Sequence, residues 1–388
     1  MKVPGKPRRL EIDFVRGIAI LLVMFAHFKK PVTGVWLLDG FNRFEELCGG
    51  HGVDLFFVLS GFLVGGLLLK EYRDTRKVEA GRFLIRRVFK IWPAYYFLIL
   101  FHAIVRHHPL KTFLWQNVFH LQNYLGSSIE QTWTLSLEEH FYFLLAILLG
   151  FVATRQWSPP KILGLLAGVS LVAFALRCYT AIGQGNLDGA LRWTQNRVDS
   201  LLFGVMISLV YHFMPELYRK LTIPVWPLVG LSAMGVAAIF LVGDAKAMRG
   251  PGYALLYVAC GAFLILVMEH SGKMTEWWIY KAISTIGVYS YGLYLWHSAM
   301  LGTGEKILTR YSGATGWFLA MGAQTVGACA IAYVTTRLVE WPALYWRESI
   351  PWLRDSKPLA KSPDDTRSEQ ERYSAESKGG GEPVLVSK

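Results

Sequence analysis

The chain is short of charge: Asp, Glu, Lys and Arg make up 18% of its 388 residues, while 53% are hydrophobic. No soluble domain needs that balance to close one packed core. Cysteine chemistry is also missing. Cys48, Cys178, Cys260 and Cys329 are scattered with no C-x-x-C pair, which argues against a zinc site and a disulfide scaffold, so no metal is expected. The short dyad pattern of an outer-membrane barrel is absent, and so is any internal repeat. Only the stretch after Pro351 turns polar, with Ser, Glu, Lys and the run Gly379-Gly380-Gly381.

What the sequence has is a succession of apolar runs, at roughly 12–28, 52–69, 88–105, 136–154, 162–182, 198–214, 223–243, 253–269, 283–302 and 316–336. A hydrocarbon core of roughly 30 Å takes about 20 helical residues to cross. The expected fold class is therefore all-α, a polytopic integral membrane protein of about ten transmembrane helices. Residues 1–350 form its transmembrane domain and 351–388 a disordered cytoplasmic tail, too short for an appended catalytic domain. The first run follows Lys2, Lys6, Arg8 and Arg9 but contains Asp13 and Arg16 and has no convincing cleavage site, so a retained helix is expected rather than a signal peptide.

The net charge of +12 does not point to nucleic acid. Residues 354–388 hold seven Lys/Arg and seven Asp/Glu, so the excess lies among the helices. Basic residues there mark cytoplasmic loops and lipid headgroups. The N-terminus and the 70–90 connection, with Lys70, Arg73, Arg76 and Lys77, should both be cytoplasmic, and an even number of spans returns the C-terminus to the same side.

Ionisable groups inside a bilayer cost about 2.5–3.5 kcal/mol on insertion scales, so each one marks a candidate functional position. The runs at 223–243, 253–268 and 316–336 have none, whereas the first holds Asp13, Arg16 and His27, the second Asp54, the fourth Glu138, Glu139 and His140, the sixth Asp199 and the ninth His297. Arg16 and His27 are eleven residues apart, about three helical turns, and share one face about 16 Å apart along the axis. Such a face suits a ligand that enters beside a cation and reacts beside an imidazole; a snorkelling Arg16 and an interfacial His27 would give the same spacing. Arg82, Arg86 and Lys90 share a face at i, i+4, i+8 spacing, with Arg87 on the neighbouring face. They suit a polyphosphate, and equally an ordinary cytoplasmic flank. Glu138 and Glu139 point about 100° apart, so only one of them is expected in a site.

Arg16-Gly-Ile-Ala-Ile-Leu-Leu-Val-Met-Phe-Ala-His27 is similar to the R-x10-H signature of the acyltransferase 3 family. Gly52-Val-Asp-Leu-Phe-Phe-Val-Leu-Ser-Gly61-Phe resembles that family's second-helix motif. Arg82-Phe-Leu-Ile-Arg86-Arg87-Val-Phe-Lys90-Ile-Trp-Pro93-Ala-Tyr95 resembles the basic start of its third helix, and Trp133-Thr-Leu-Ser136-Leu-Glu138-Glu139-His140-Phe-Tyr142 its tryptophan, serine and paired-glutamate stretch. Shorter likenesses follow at Arg197–Gly204, Tyr289–His297 and Glu340-Trp-Pro342, so the resemblance covers about 10–345. Lys90 stands where the family often has Arg, and His140 where Gln is common.

The resemblance implies ten helices around a central site of a bacterial inner-membrane enzyme. The donor would be cytoplasmic acetyl-CoA or a related acyl-CoA, used as a substrate with no permanently bound cofactor. The acceptor would be a hydroxyl of a surface polysaccharide, lipid-linked sugar or similar glycoside. A thioester is already activated, so the enzyme chiefly needs a base and cations for the oxyanion and the CoA phosphates. His27 is the expected base, with Arg16 near the donor and a carboxylate of Glu139 or Asp54 holding the second imidazole nitrogen. Arg82, Arg86, Arg87 and Lys90 are the expected phosphate ligands, and Asp13, Ser136 and Glu138 supporting residues; Arg197 with Asp199, and His297, read as structural. The rival reading is a multi-helix transporter or exporter of a polar substrate, because intramembrane His, Asp and Glu also build proton paths.

Overall fold

The computed structural model of the chain describes residues 9–105 and 115–353. Among them every regular element is helical and no strand forms. The frame consists of α1 (Leu10–His27), α2 (Trp36–Cys48), α3 (Gly52–Thr75), α4 (Ala80–Val105), α5 (Trp133–Thr154), α6 (Pro159–Cys178), α7 (Thr194–Phe213), α8 (Val225–Leu241), α9 (Tyr253–His270), α10 (Trp278–Val288), α11 (Ser290–Trp296) and α12 (Gly313–Thr335).

Six helical stretches among the described residues are long and apolar enough to cross a membrane: Trp36–Thr75, Ala80–Val105, Glu130–Thr154, Pro159–Gly183, Ala245–His270 and Gly313–Ser349. Leu187–Phe213 with Pro215–Thr222, bent by 116°, makes a seventh if counted as one span. Of the about ten spans expected, six or seven meet this test of length and composition among the described residues, and each of the others falls short for a physical reason. α1 carries Glu11, Asp13 and Arg16. The run at 198–214 turns sharply at Met214-Pro215, where proline has no N–H to continue the ladder. α8 has only 17 residues, and the run at 283–302 breaks at Tyr289 between α10 and α11.

Large apolar side chains face outward, among them Leu144 and Ile147 of α5 and Leu171 and Val172 of α6. An apolar exterior of this extent on a multi-helix chain is the mark of a multi-pass membrane protein. Inside, the helices approach through small residues. A Cβ at Gly61 would fall on the Leu201 carbonyl and one at Gly204 on the Val58 carbonyl, so α3 and α7 touch backbone to backbone.

Two buried ion pairs tie the same region together. Arg177 of α6 pairs with Asp199 and donates to the Asn196 and Gly250 carbonyls, each at 3.0 Å. Arg197 pairs with Asp54 of α3 and lies 4.0 Å from the centroid of the Tyr253 ring. The expected grouping of Arg197 with Asp199 is thereby corrected: each takes its partner from another helix. Just past the boundary expected at 350, Leu353 is buried and its carbonyl accepts from Arg86. The remainder of the expected tail, 354–388, lies outside the described residues.

Candidate active site

α1 carries the two ends of the site. Arg16 is half-buried and faces Asp13 one turn earlier at 3.4 Å, with Asp13 only 4% exposed. At the other end, His27 closes the helix with its imidazole exposed. Its Nδ1–H donates to the Val23 carbonyl at 2.7 Å, and because a carbonyl can only accept, the proton sits on Nδ1 and leaves Nε2 as the basic nitrogen.

A cavity of about 360 Å³ lies between α1, α3, α4, α5 and the α10–α11 break. Its wall along α3 runs from Val53 to Leu67, about 21 Å of helix at 1.5 Å per residue. Arg16, Arg87 and Lys90 open on it, as does Glu138. The Arg87 guanidinium sits over the rings of Phe83 and Tyr142, 5.4 and 5.6 Å from their centroids. Lys90 pairs with Glu340, which a π-helical turn at Thr336–Glu340 brings beside α4. The Tyr142 phenol donates to Glu138 at 3.1 Å, with the Ser60 hydroxyl 2.7 Å from the phenol oxygen. Apart from Thr134 and Ser290, the remaining wall is aromatic and aliphatic.

Toward the Val53 side the cavity ends on Phe56, Thr134 and Tyr294. The Tyr294 phenol donates to the Gln131 carbonyl at 2.7 Å and lies 2.6 Å from the Thr134 hydroxyl. Behind Tyr294, ring centroids 6.0 Å apart, is His297; its ring meets His27 in an edge-to-face contact at 5.2 Å. One aromatic layer thus separates the cation-lined cavity from His27.

Other expected site residues sit elsewhere. Arg82 pairs with Glu71 and Glu79, and Arg86 turns to the Leu353 carbonyl and Glu348, so neither lines the cavity. Of the adjacent glutamates it is Glu138 that enters, while Glu139, about 100° round α5, accepts from the Trp92 indole at 3.3 Å. Asp54, the alternative carboxylate for His27, accepts instead from Arg197 and from His51 Nδ1–H at 2.9 Å. Ser136 is fully buried outside the cavity.

Some residues escaped the sequence reading. His120, outside the candidate spans, adopts φ +54° and stacks 4.8 Å from Tyr95; burial pushes its imidazole down to about 4. His297, read as structural, meets His27, and the only signal available was the motif likeness ending on it. Glu340 finds Lys90 across 250 positions of sequence, a pairing no local pattern encodes.

Comparison with known proteins gives the chain's relatives. O-acetyltransferase OatA of Staphylococcus aureus strain NCTC 8325 / PS 47, and that of strain COL, are each 26% identical to the chain over 318 residues, covering 75% of this chain and 50% of theirs. The chain thus spans about half the length of the curated relatives it matches. No solved structure matches it. A family model described as an acyltransferase domain matches residues 9–337, and the chain belongs to the acyltransferase 3 family.

Proposed function

We propose that the protein is a membrane-bound O-acyltransferase that moves an acetyl or other short acyl group from cytoplasmic acyl-CoA to a hydroxyl of a carbohydrate-containing acceptor, such as a cell-surface polysaccharide or lipid-linked sugar. The observation that supports it best is the cavity between α1, α3, α4 and α5, with Arg16, Arg87 and Lys90 on its wall and Tyr294, one ring from the histidines, at its end. CoA carries its phosphates at the end opposite the thioester, joined by a long flexible arm. Cations hold the head, and a tunnel with little charge suits the arm.

In the reaction the acceptor oxygen attacks the thioester carbonyl carbon as its proton passes to His27 Nε2. The C–S bond then breaks, and the thiolate takes that proton back from His27 to leave as the thiol. The Val23 carbonyl does what a carboxylate was expected to do, fixing the tautomer that exposes Nε2. Arg16, Arg87 and Lys90 supply positive charge to the donor, and Glu138 with Tyr142 and Ser60 orders the polar side of the tunnel.

The N-terminus, the 70–90 connection and the C-terminal tail are assigned to the cytoplasm of a bacterium, with the helices in its inner membrane. The test has two parts. Mass spectrometry of envelope glycans and lipids from a deletion strain should show loss of acetyl groups. The purified protein in nanodiscs should bind acetyl-CoA and release free thiol when supplied with the glycan so identified. Unchanged envelope acetylation together with no acetyl-CoA binding would overturn the reading and favour a transporter. A cysteine introduced in the 70–90 connection should resist a membrane-impermeant label in intact cells, and ready labelling would reverse the topology.

A further inference from the structure

We infer that His297 is a positioning residue: its ring, packed edge to face on His27 with an unshared Nε2 lone pair, steadies the His27 imidazolium through space while the base holds the acceptor's proton. The inference rests on His27 being the base.

The tautomers are settled by carbonyls. His297 Nδ1 lies 2.9 Å from the Tyr294 carbonyl and 3.2 Å from the Leu293 carbonyl, so it must be the protonated nitrogen. Nε2 is then a bare lone pair, and it has no hydrogen-bond partner among the described residues although His297 is 0% exposed. A buried acceptor left unmet is costly, and such a group calls for a partner that arrives during function. The ring packed against His297 is that of His27, edge to face at 5.2 Å, whose own Nδ1–H is occupied by Val23.

In the resting state both Nε2 atoms are lone pairs, and neither can donate to the other. Once His27 takes the acceptor's proton it becomes a cation whose Nε2–H stays directed at the reacting atoms, and a nitrogen lone pair on the neighbouring ring stabilises that charge electrostatically. His297 therefore interacts with the intermediate more strongly than with the resting enzyme, which is what a contribution to catalysis requires. Among the described residues, the titratable groups in ring contact with His297 are His27 from α1 and Tyr294 from the helix that ends just before it. At the start of α5, Gln131 and Thr134, both uncharged, engage Ser298 and Tyr294.

The test reads the protonation of His27 without needing the acceptor. Full-length protein in nanodiscs is labelled with diethyl pyrocarbonate, which modifies unprotonated imidazole, and the rate at exposed His27 is followed against pH by peptide mass spectrometry. A lone pair beside His27 favours its charged form, so removing it should move the labelling midpoint to lower pH. His297→Phe should label His27 about threefold faster below the wild-type midpoint, the factor that half a pH unit gives. His297→Gln, which restores an acceptor oxygen, should stay near wild type, and His297→Leu replaces Phe if that chain does not fold. Coincident profiles for wild type, the Phe or Leu variant and the Gln variant would overturn the inference and leave His297 a packing residue. Should His27→Ala retain acyl transfer, the proposed base falls instead, a separate result from a separate assay.

Discussion

The two ends of α1 solve opposite electrostatic problems. At the Arg16 end, cations are given neighbours of opposite sign: Arg16 has Asp13, Lys90 has Glu340, and Arg82, farther down α4, has Glu71 and Glu79. At the His27 end, the partners the structure gives the imidazole are a backbone carbonyl and a second imidazole. A site that holds a polyphosphate must keep fixed positive charge in a low-dielectric setting, and counter-charges lower the cost of doing so before the ligand arrives. A base must instead rest neutral, and a carboxylate against it would tend to keep it protonated. On the proposed function, the division of labour between binding and chemistry matches the kind of partner each end receives.

That contrast breaks most readily at His27. His27→Ala should lower turnover about 10²–10⁴-fold, the usual range for a general base, while acetyl-CoA affinity stays within about twofold. Turnover by thiol release and affinity by calorimetry in nanodiscs separate the two; a loss confined to affinity would move the chemistry away from this end. Insertion should be unharmed, since replacing a polar side chain by Ala does not raise its cost.

The frame offers the next largest effect, and it tests where Asp54 belongs. Arg197→Ala leaves Asp54 buried without its ion-pair partner, which should destabilise the fold by about 3–5 kcal/mol. Chemical denaturation in mixed micelles measures this. A variant as stable as wild type but impaired in turnover would return Asp54 to the histidine end, as its partner there.

Much of this was legible in sequence, for reasons that can be named. Apolar run length revealed the helices, and 3.6-residue periodicity put Arg16 and His27 on one face. The same periodicity showed that only one of Glu138 and Glu139 could enter a site, but choosing Glu138 required knowing that α4 puts Trp92 beside Glu139. Partner choice is set by helix packing: Asp54 meets Arg197 across 143 positions. Amphipathic α2, with Asp39, Arg43, Glu45 and Glu46 interleaved among apolar residues, has no uniform run to announce it. The break at Tyr289 lies between Gly287 and Gly292, but both glycines serve close helix packing, against Asp13 and against Ala332, so they do not mark the turn itself.

Neighbouring arginines sharpen the comparison further. Arg87 opens on the cavity and Arg86 does not, although sequence spacing grouped Arg86 with Arg82 and Lys90. With charge-assisted hydrogen bonds contributing about 1.5–3 kcal/mol, Arg87→Ala should weaken acetyl-CoA binding roughly tenfold to a hundredfold. Arg86→Ala should stay within about threefold, close to a control at exposed Lys77. Equal losses at Arg86 and Arg87 would mean that the phosphates sit on the loop side of α4 instead of in the cavity.

The smallest expected effect concerns Lys90, and its sign is what matters. Lys90 lines the cavity yet pairs with Glu340, which is 4% exposed. If Glu340 competes with the phosphates for Lys90, neutralising it should favour the ligand: Glu340→Gln keeps the shape of the π-helical turn, removes one negative charge beside the site, and should tighten acetyl-CoA binding about two- to fivefold at low salt. Screening reduces long-range charge effects, so the gain should shrink as ionic strength rises. If Glu340 instead aims Lys90 at the ligand, the same substitution weakens binding, because a flexible ammonium without its anchor loses its orientation. Titration of wild type and Glu340→Gln at two salt concentrations separates these cases. Tighter binding that fades with salt makes the pair a counter-charge of the cation end, while weaker binding makes Glu340 part of the donor site itself.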